Sequence, residues 1–209
     1  MMSKPLDFLI NSRPEAATAY FTFLKESGKH LDDKTRFLIS VATKVISSTR
    51  RGIRQYVPHA IRAGASGNEI IDAVLMAFPA AGLTKVLDAV EALMEMDLPE
   101  ISSENLNREK GWYDLVSMSD LPDEGTYDAD IFGYKLLVYR KDGQTKVYDN
   151  RCPHQWTSLQ DMKIEGKSIT CSKHHWKFDL DSGECVEKGS RGVRLVPSKV
   201  EGNQLQVEV

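Results

Sequence analysis

The sequence predicts a multidomain α+β chain. An N-terminal all-α helical bundle covers residues 1–97, a linker covers 98–110, and an all-β antiparallel domain covers 111–209. Three observations carry this reading. Apolar residues recur at helical spacing in the first half. After Gly111 the text changes to short β-rich runs separated by turn dipeptides. Between them, "DLPEISSENLNREK" is polar and has no period, as expected of a linker. A chain of 209 residues is long enough for each part to bury its own core.

Along the first half, Asp32 stands where an N-cap belongs, and Phe37, Leu38, Val41, Val45 and Ile46 form one apolar stripe behind it. Gly64-Ala65-Ser66 closes the next segment. Ser66 and Glu69 then have capping-box spacing. The helix they open is expected to bury Ile70, Ile71, Val74, Leu75 and Phe78 and to stop at Pro79. Leu83, Val86, Leu87, Val90, Leu93 and Met94 mark a last amphipathic helix.

In the second half, "YKLLVYR", "QTKVYDN", "KSITC" and "NQLQVEV" read as strands. Asp142-Gly143, Glu165-Gly166, Ser182-Gly183 and Glu201-Gly202 supply the turns. A formal net charge of -3 argues against a protein built to neutralise nucleic-acid phosphates. No apolar run approaches the length of a membrane span, and the start lacks a signal-peptide core, so a cytoplasmic protein with no membrane partner is expected. Three cysteines do not make a disulfide framework.

Two short stretches carry chemistry. Cys152-Pro153-His154 and, 16 residues on, Cys171-Ser172-Lys173-His174 offer two sulfur and two nitrogen donors on loops next to strands. A tetrahedral zinc tolerates that set, but usually groups its cysteines before its histidines. The order Cys, His, Cys, His suits a two-iron cluster, with both thiolates on one iron and both imidazoles on the other.

With these boxes, and with Trp176, Phe178 and Asp179 after the second, the segment from about Trp112 to Val209 resembles a Rieske [2Fe-2S] domain. The "CPHQ" box and Leu159 are most similar to the small Rieske ferredoxins that serve aromatic-ring oxygenases. The resemblance implies a [2Fe-2S] cluster with Cys152 and Cys171 on the inner iron and His154 and His174 on the outer one. His175 adjoins His174 and is the competing ligand. Trp156 and His175 stand where many family members have glycine. High-potential members carry an extra cysteine in each box. Thr157 and Lys173 occupy those positions, so no bridging disulfide forms. Trp176 and Phe178 replace the serine and tyrosine that donate hydrogen bonds to cluster sulfurs, which implies a potential near the low end of the Rieske range, roughly -150 mV. Cys185 reads as a small buried hydrophobe or a redox-active thiol.

From Leu31 to Met96 the chain resembles the carboxymuconolactone decarboxylase family, on "RQYVPHAIRAGASGNEIIDAVLMAFPAAG" with its His59, Ala63-Gly64-Ala65 and Ser66/Glu69 cap. That resemblance implies a trimer or hexamer. The disulfide-reductase branch needs CxxC at positions held here by Gly52 and Gln55, so thiol chemistry is absent. The decarboxylase branch suggests His59 and Arg62 as catalytic candidates, with Arg50, Arg51 and Arg54 flanking. The other reading of these arginines is a solvated basic face.

Two functions compete. One is an electron carrier passing single electrons from a reductase to an oxygenase or other terminal oxidoreductase. The other is an enzyme acting on a carboxylated small molecule at His59 and Arg62, with the Rieske domain as redox accessory.

Overall fold

The computed structural model describes every residue except 1–3, 155, 161 and 163. The chain forms two compact units, Met1–Ile101 and Ser102–Val209.

The described residues of the first unit form helices and the turns between them. Its elements are α1 (Lys4–Ser12), α2 (Pro14–Ser27), α3 (Asp33–Ile46), α4 (Arg50–Arg62), α5 (Gly67–Leu75), α6 (Phe78–Ala81) and α7 (Leu83–Met94). Asp32 caps α3 by accepting from the Thr35 backbone N–H at 3.0 Å. The hydrogen bonds from Thr35 also hold the Asp32 carboxyl below its ordinary value. The capping box forms as expected: Ser66 Oγ accepts from Glu69 N at 3.2 Å, and Glu69 Oε2 accepts from Ser66 N at 2.8 Å. Lys34 donates to the other oxygen of Glu69 at 2.7 Å, which ties α3 to the start of α5. Val41, Val45, Ile53, Val57, Ile70, Val74, Val86 and Leu93 fill the core.

Part of the expected apolar stripe lies outside that core. Leu75, Phe78 and Leu87 are half exposed, at 53%, 50% and 57%. Helix α5 ends at Leu75, and Pro79 sits in the first turn of the separate α6 instead of stopping α5. A proline's fixed φ and missing N–H suit a first turn, so it opens a helix here. The linker also carries more structure than its composition suggests. Pro99–Ile101 is a 3-10 turn, and Ser102 caps a four-residue α8 (Ser103–Leu106). One turn of helix is too short to show an apolar period. Among the described residues, no helix is long and apolar enough to cross a membrane.

Among its described residues the second unit has the strands β1 (Trp112–Ser117), β2 (Gly125–Ile131), β3 (Tyr134–Lys141), β4 (Gln144–Asp149), β5 (Ile164–Glu165), β6 (Ser168–Thr170), β7 (Lys177–Asp179), β8 (Cys185–Glu187), β9 (Leu195–Val196), β10 (Ser198–Glu201) and β11 (Gln204–Glu208). They pair antiparallel in three sheets, ordered β1-β11-β10, β2-β3-β4-β9 and β5-β6-β7-β8. The expected turn at Asp142-Gly143 joins β3 to β4, with φ of 50° and 73°, the primed geometry that matches strand twist.

The sheet of β2, β3, β4 and β9 serves two cores. Leu136, Val138 and Val147 face one, with Leu205 and Val207. Leu137, Tyr139 and Tyr148 face the other, with Leu159, Ile169, Phe178 and Leu180. Alternating side chains therefore bury both faces of β3, which is why "YKLLVYR" is a continuous apolar run instead of an alternating one. Tyr148 Oη donates to the Leu180 carbonyl at 2.8 Å. Burial pushes this phenol up to about 12.

Candidate metal centre

Both Cys-His boxes sit on hairpin tips of the same construction. Residues 152–157 are closed by the Arg151–Ser158 bridge, and residues 171–176 by the Thr170–Lys177 pair of β6 and β7. In the first, Cys152 N donates to Thr157 O and Trp156 N donates to Cys152 O, both at 2.8 Å. In the second, Cys171 N donates to Trp176 O and His175 N donates to Cys171 O, both at 2.9 Å. Each tip thus runs six residues, opens on cysteine and closes with the same two bonds. The fifth residue of each tip turns left-handed, Trp156 at φ 57° and His175 at φ 58°. These are the two positions where glycine was the expected residue, and the turn geometry gives the reason.

The donors divide by burial. Cys152 and Cys171 are each 1% exposed and belong to the same core cluster. His154 and His174 are half-buried, and their rings meet at 4.4 Å between centres. Two imidazoles sharing one ion through bonds of about 2 Å need their rings about this close. His175, by contrast, is exposed. Desolvation, with Lys173 and His175 nearby, lowers the pKa of His174 and favours the neutral imidazole that a metal requires. Among the described residues no group of three or more His, Cys, Asp or Glu is placed to hold a single metal ion. The two thiols share one core cluster and the two imidazoles meet ring to ring, the division of sulfur and nitrogen donors that a two-iron cluster asks for.

The surroundings brace the tips. Arg151 donates twice to Asp149 at 2.7 Å, and Arg194 reaches the same carboxylate at 3.0 Å. The Arg151 guanidinium lies 4.2 Å from the centre of the Trp156 ring. Sequence reasoning passed over this clamp, although the charged pair around an otherwise apolar strand end was visible. Cys185 packs against the core that holds Cys152 and Cys171, and its Sγ lies 3.2 Å from the Glu187 carbonyl. Gln155 of the first box lies outside the described residues.

In the helical unit, His59 rests against Phe37 and Tyr56, with ring centres at 5.1 and 6.2 Å. Two of the flanking arginines, Arg50 and Arg54, are paired with acidic side chains. Arg50 bonds Glu95 at 2.8 Å and Glu91 at 3.2 Å, and Arg54 also bonds Glu95. Arg62 follows on the same helix one turn beyond His59. A side chain at Gly52 would come within 2.7 Å of the Lys44 stem, so the space of a first CxxC thiol is already filled.

Comparison with known proteins agrees with these two halves. Residues 111–197 match the Rieske [2Fe-2S] domain, and residues 14–95 match the carboxymuconolactone decarboxylase family. The ferredoxin component of the naphthalene 1,2-dioxygenase system of Pseudomonas aeruginosa is 25% identical over 99 residues, which is 47% of this chain and 95% of that protein. The ferredoxin component of the alkene monooxygenase system of Xanthobacter autotrophicus is 27% identical over 97 residues, 46% of this chain and 80% of that one. The probable 3-ketosteroid-9-alpha-monooxygenase oxygenase component of Rhodococcus rhodochrous is 33% identical over 79 residues, but those cover only 20% of its length.

Proposed function

From a chain that couples a carboxymuconolactone decarboxylase family domain to a Rieske [2Fe-2S] domain, we propose that this protein is a one-electron carrier of the Rieske ferredoxin kind. It takes electrons from a reductase and delivers them to a terminal oxygenase or similar oxidoreductase. When bound, a [2Fe-2S] cluster supplies reversible one-electron transfer. Cys152 and Cys171 would hold its inner iron, and His154 and His174 its outer one. The observation that carries the proposal is the pair of matched hairpin tips, with their thiols buried and their imidazoles half exposed. Buried thiolates are kept from water and oxidation. Half-exposed imidazoles give a docked protein a short path to the metal. The alignments support the carrier role over an oxygenase role, since they cover 95% of a ferredoxin component but 20% of an oxygenase component.

The helical unit serves as the assembly module in this reading, forming a trimer or hexamer. It exposes Phe8 by 69%, Phe23 by 65%, Met76 by 77% and Met94 by 76%, an apolar surface that suits a second copy. The salt bridges of Arg50 and Arg54 count against an anion pocket around His59.

The test is optical and magnetic. Purified protein should be red-brown, give a rhombic electron-spin resonance signal on reduction, and titrate near the low end of the Rieske range, roughly -150 mV. His154→Ala should abolish the rhombic signal. A colourless protein that binds one divalent ion would overturn the proposal.

A further inference from the structure

Trp176 closes the second tip and lies flat on the histidine of the first. Its indole and the His154 imidazole are 4.7 Å apart between centres and within 1° of parallel. Gly189 seats the indole. A Cβ at Gly189 would fall 2.2 Å from Cε3, 2.4 Å from Cδ2 and 2.6 Å from Cζ3 of Trp176. Such similar distances to three consecutive ring atoms place Gly189 over the face of the six-membered ring, not at its edge. The preceding Lys188, at φ 64°, turns the chain onto the ring. His174 meets His154 only edge-on, at 69°, and among the described residues no ring stacks flat on it.

We propose that Trp176 is a positioning residue for His154. The indole fixes the plane of the imidazole and keeps water off one of its faces, while His174 forms the open side of the centre. Gly189 is glycine because any side chain there would push the indole off its seat. This inference rests on the reading of His154 as an iron ligand. Two ferric ions, two sulfides, two thiolates and two neutral imidazoles sum to zero charge, so reduction leaves one negative charge. Water admitted to His154 favours that more charged form, and removal of the indole should raise the midpoint potential.

The experiment compares holoprotein carrying Trp176→Leu, Trp176→Phe and Gly189→Ala with the wild type, by redox titration and by the resonance spectrum of the reduced state. Trp176→Leu should shift the midpoint upward and alter the rhombic splitting. Trp176→Phe, which keeps a flat ring, should restore both most of the way. Gly189→Ala should alter the splitting with Trp176 still present. If Trp176→Leu fails to load a cluster, the comparison of Trp176→Phe with Gly189→Ala decides. Unchanged spectra and midpoints in the variants that load would overturn the assignment, because a purely structural tryptophan would change stability alone. The absence of any rhombic signal in the wild type would instead defeat the cluster reading beneath it.

Discussion

Replacing His175 with glycine should slow the loss of the cluster. His175 holds φ at 58°, and its side chain is exposed and makes no hydrogen bond among the described contacts. A left-handed conformation costs an L-residue about 1–2 kcal/mol. Histidine tolerates it better than most residues, so the low end applies. Glycine returns about 0.4 kcal/mol of that through the greater freedom of the open chain. The net gain is about 0.6 kcal/mol, which is about a threefold change in the equilibrium between closed and open tip, with RT near 0.59 kcal/mol. A holoprotein of two units has no well-defined single melting point, so the assay should be kinetic. Bleaching of the visible absorption under excess chelator reports tip opening if opening precedes metal capture. His175→Gly should bleach about threefold more slowly than wild type. Trp156→Gly relieves the same strain but loses the Arg151 stack, worth about 0.5–1 kcal/mol, and should bleach no more slowly. If His175→Gly bleaches faster than wild type, the left-handed turn is not a source of strain and the reasoning fails.

Acid should weaken the β5-β6-β7-β8 sheet through Asp179. Burial opposes its charge, but Lys167 and the backbone N–H groups of Ser182 and Asp181 outweigh this and hold its carboxyl below the usual range. With the folded value below the unfolded one, the stabilisation is complete above about pH 4 and is lost as pH falls through the folded value. Asp179→Asn should therefore cost about 1.5 kcal/mol at neutral pH. Its urea midpoint should converge on that of the wild type as pH falls through the folded value of Asp179, and a constant gap would contradict the ion's role. Ser66→Ala removes the α5 cap and should cost about 1 kcal/mol, read as roughly fivefold faster amide exchange at residues 67–69. Unchanged exchange there would show that Lys34 and Glu69 alone hold the turn.

Much of this fold was legible because local chemistry and global packing agree. The Asp32 cap, the Ser66/Glu69 box and the Asp142-Gly143 turn depend on residues within a few positions of one another, and all three form. The two tips were legible because each Cys-His pair lies within a single six-residue stretch. What escaped depends on distant partners. Nothing near Leu75 or Phe78 tells whether the bundle will cover them, and it covers each only by half. Arg50 and Arg54 read as basic positions flanking His59, and their pairing with Glu91 and Glu95 around the end of α7 joins stretches far apart in the sequence. The His154, Trp176 and Gly189 stack joins three separate stretches of chain, and no periodicity encodes it. The glycine-type positions at Trp156 and His175 were noticed as odd residues, but their left-handed φ required the backbone.

The twinned hairpin tips have a consequence for how such a centre tolerates change. A six-residue loop that closes identically twice behaves as a cassette, and only the rung on which the imidazole is mounted differs, third in one copy and fourth in the other. Letters within the cassette can be exchanged while its length cannot. Adding or deleting one residue in either tip would unlatch both closing bonds at once and swing the donors out of register.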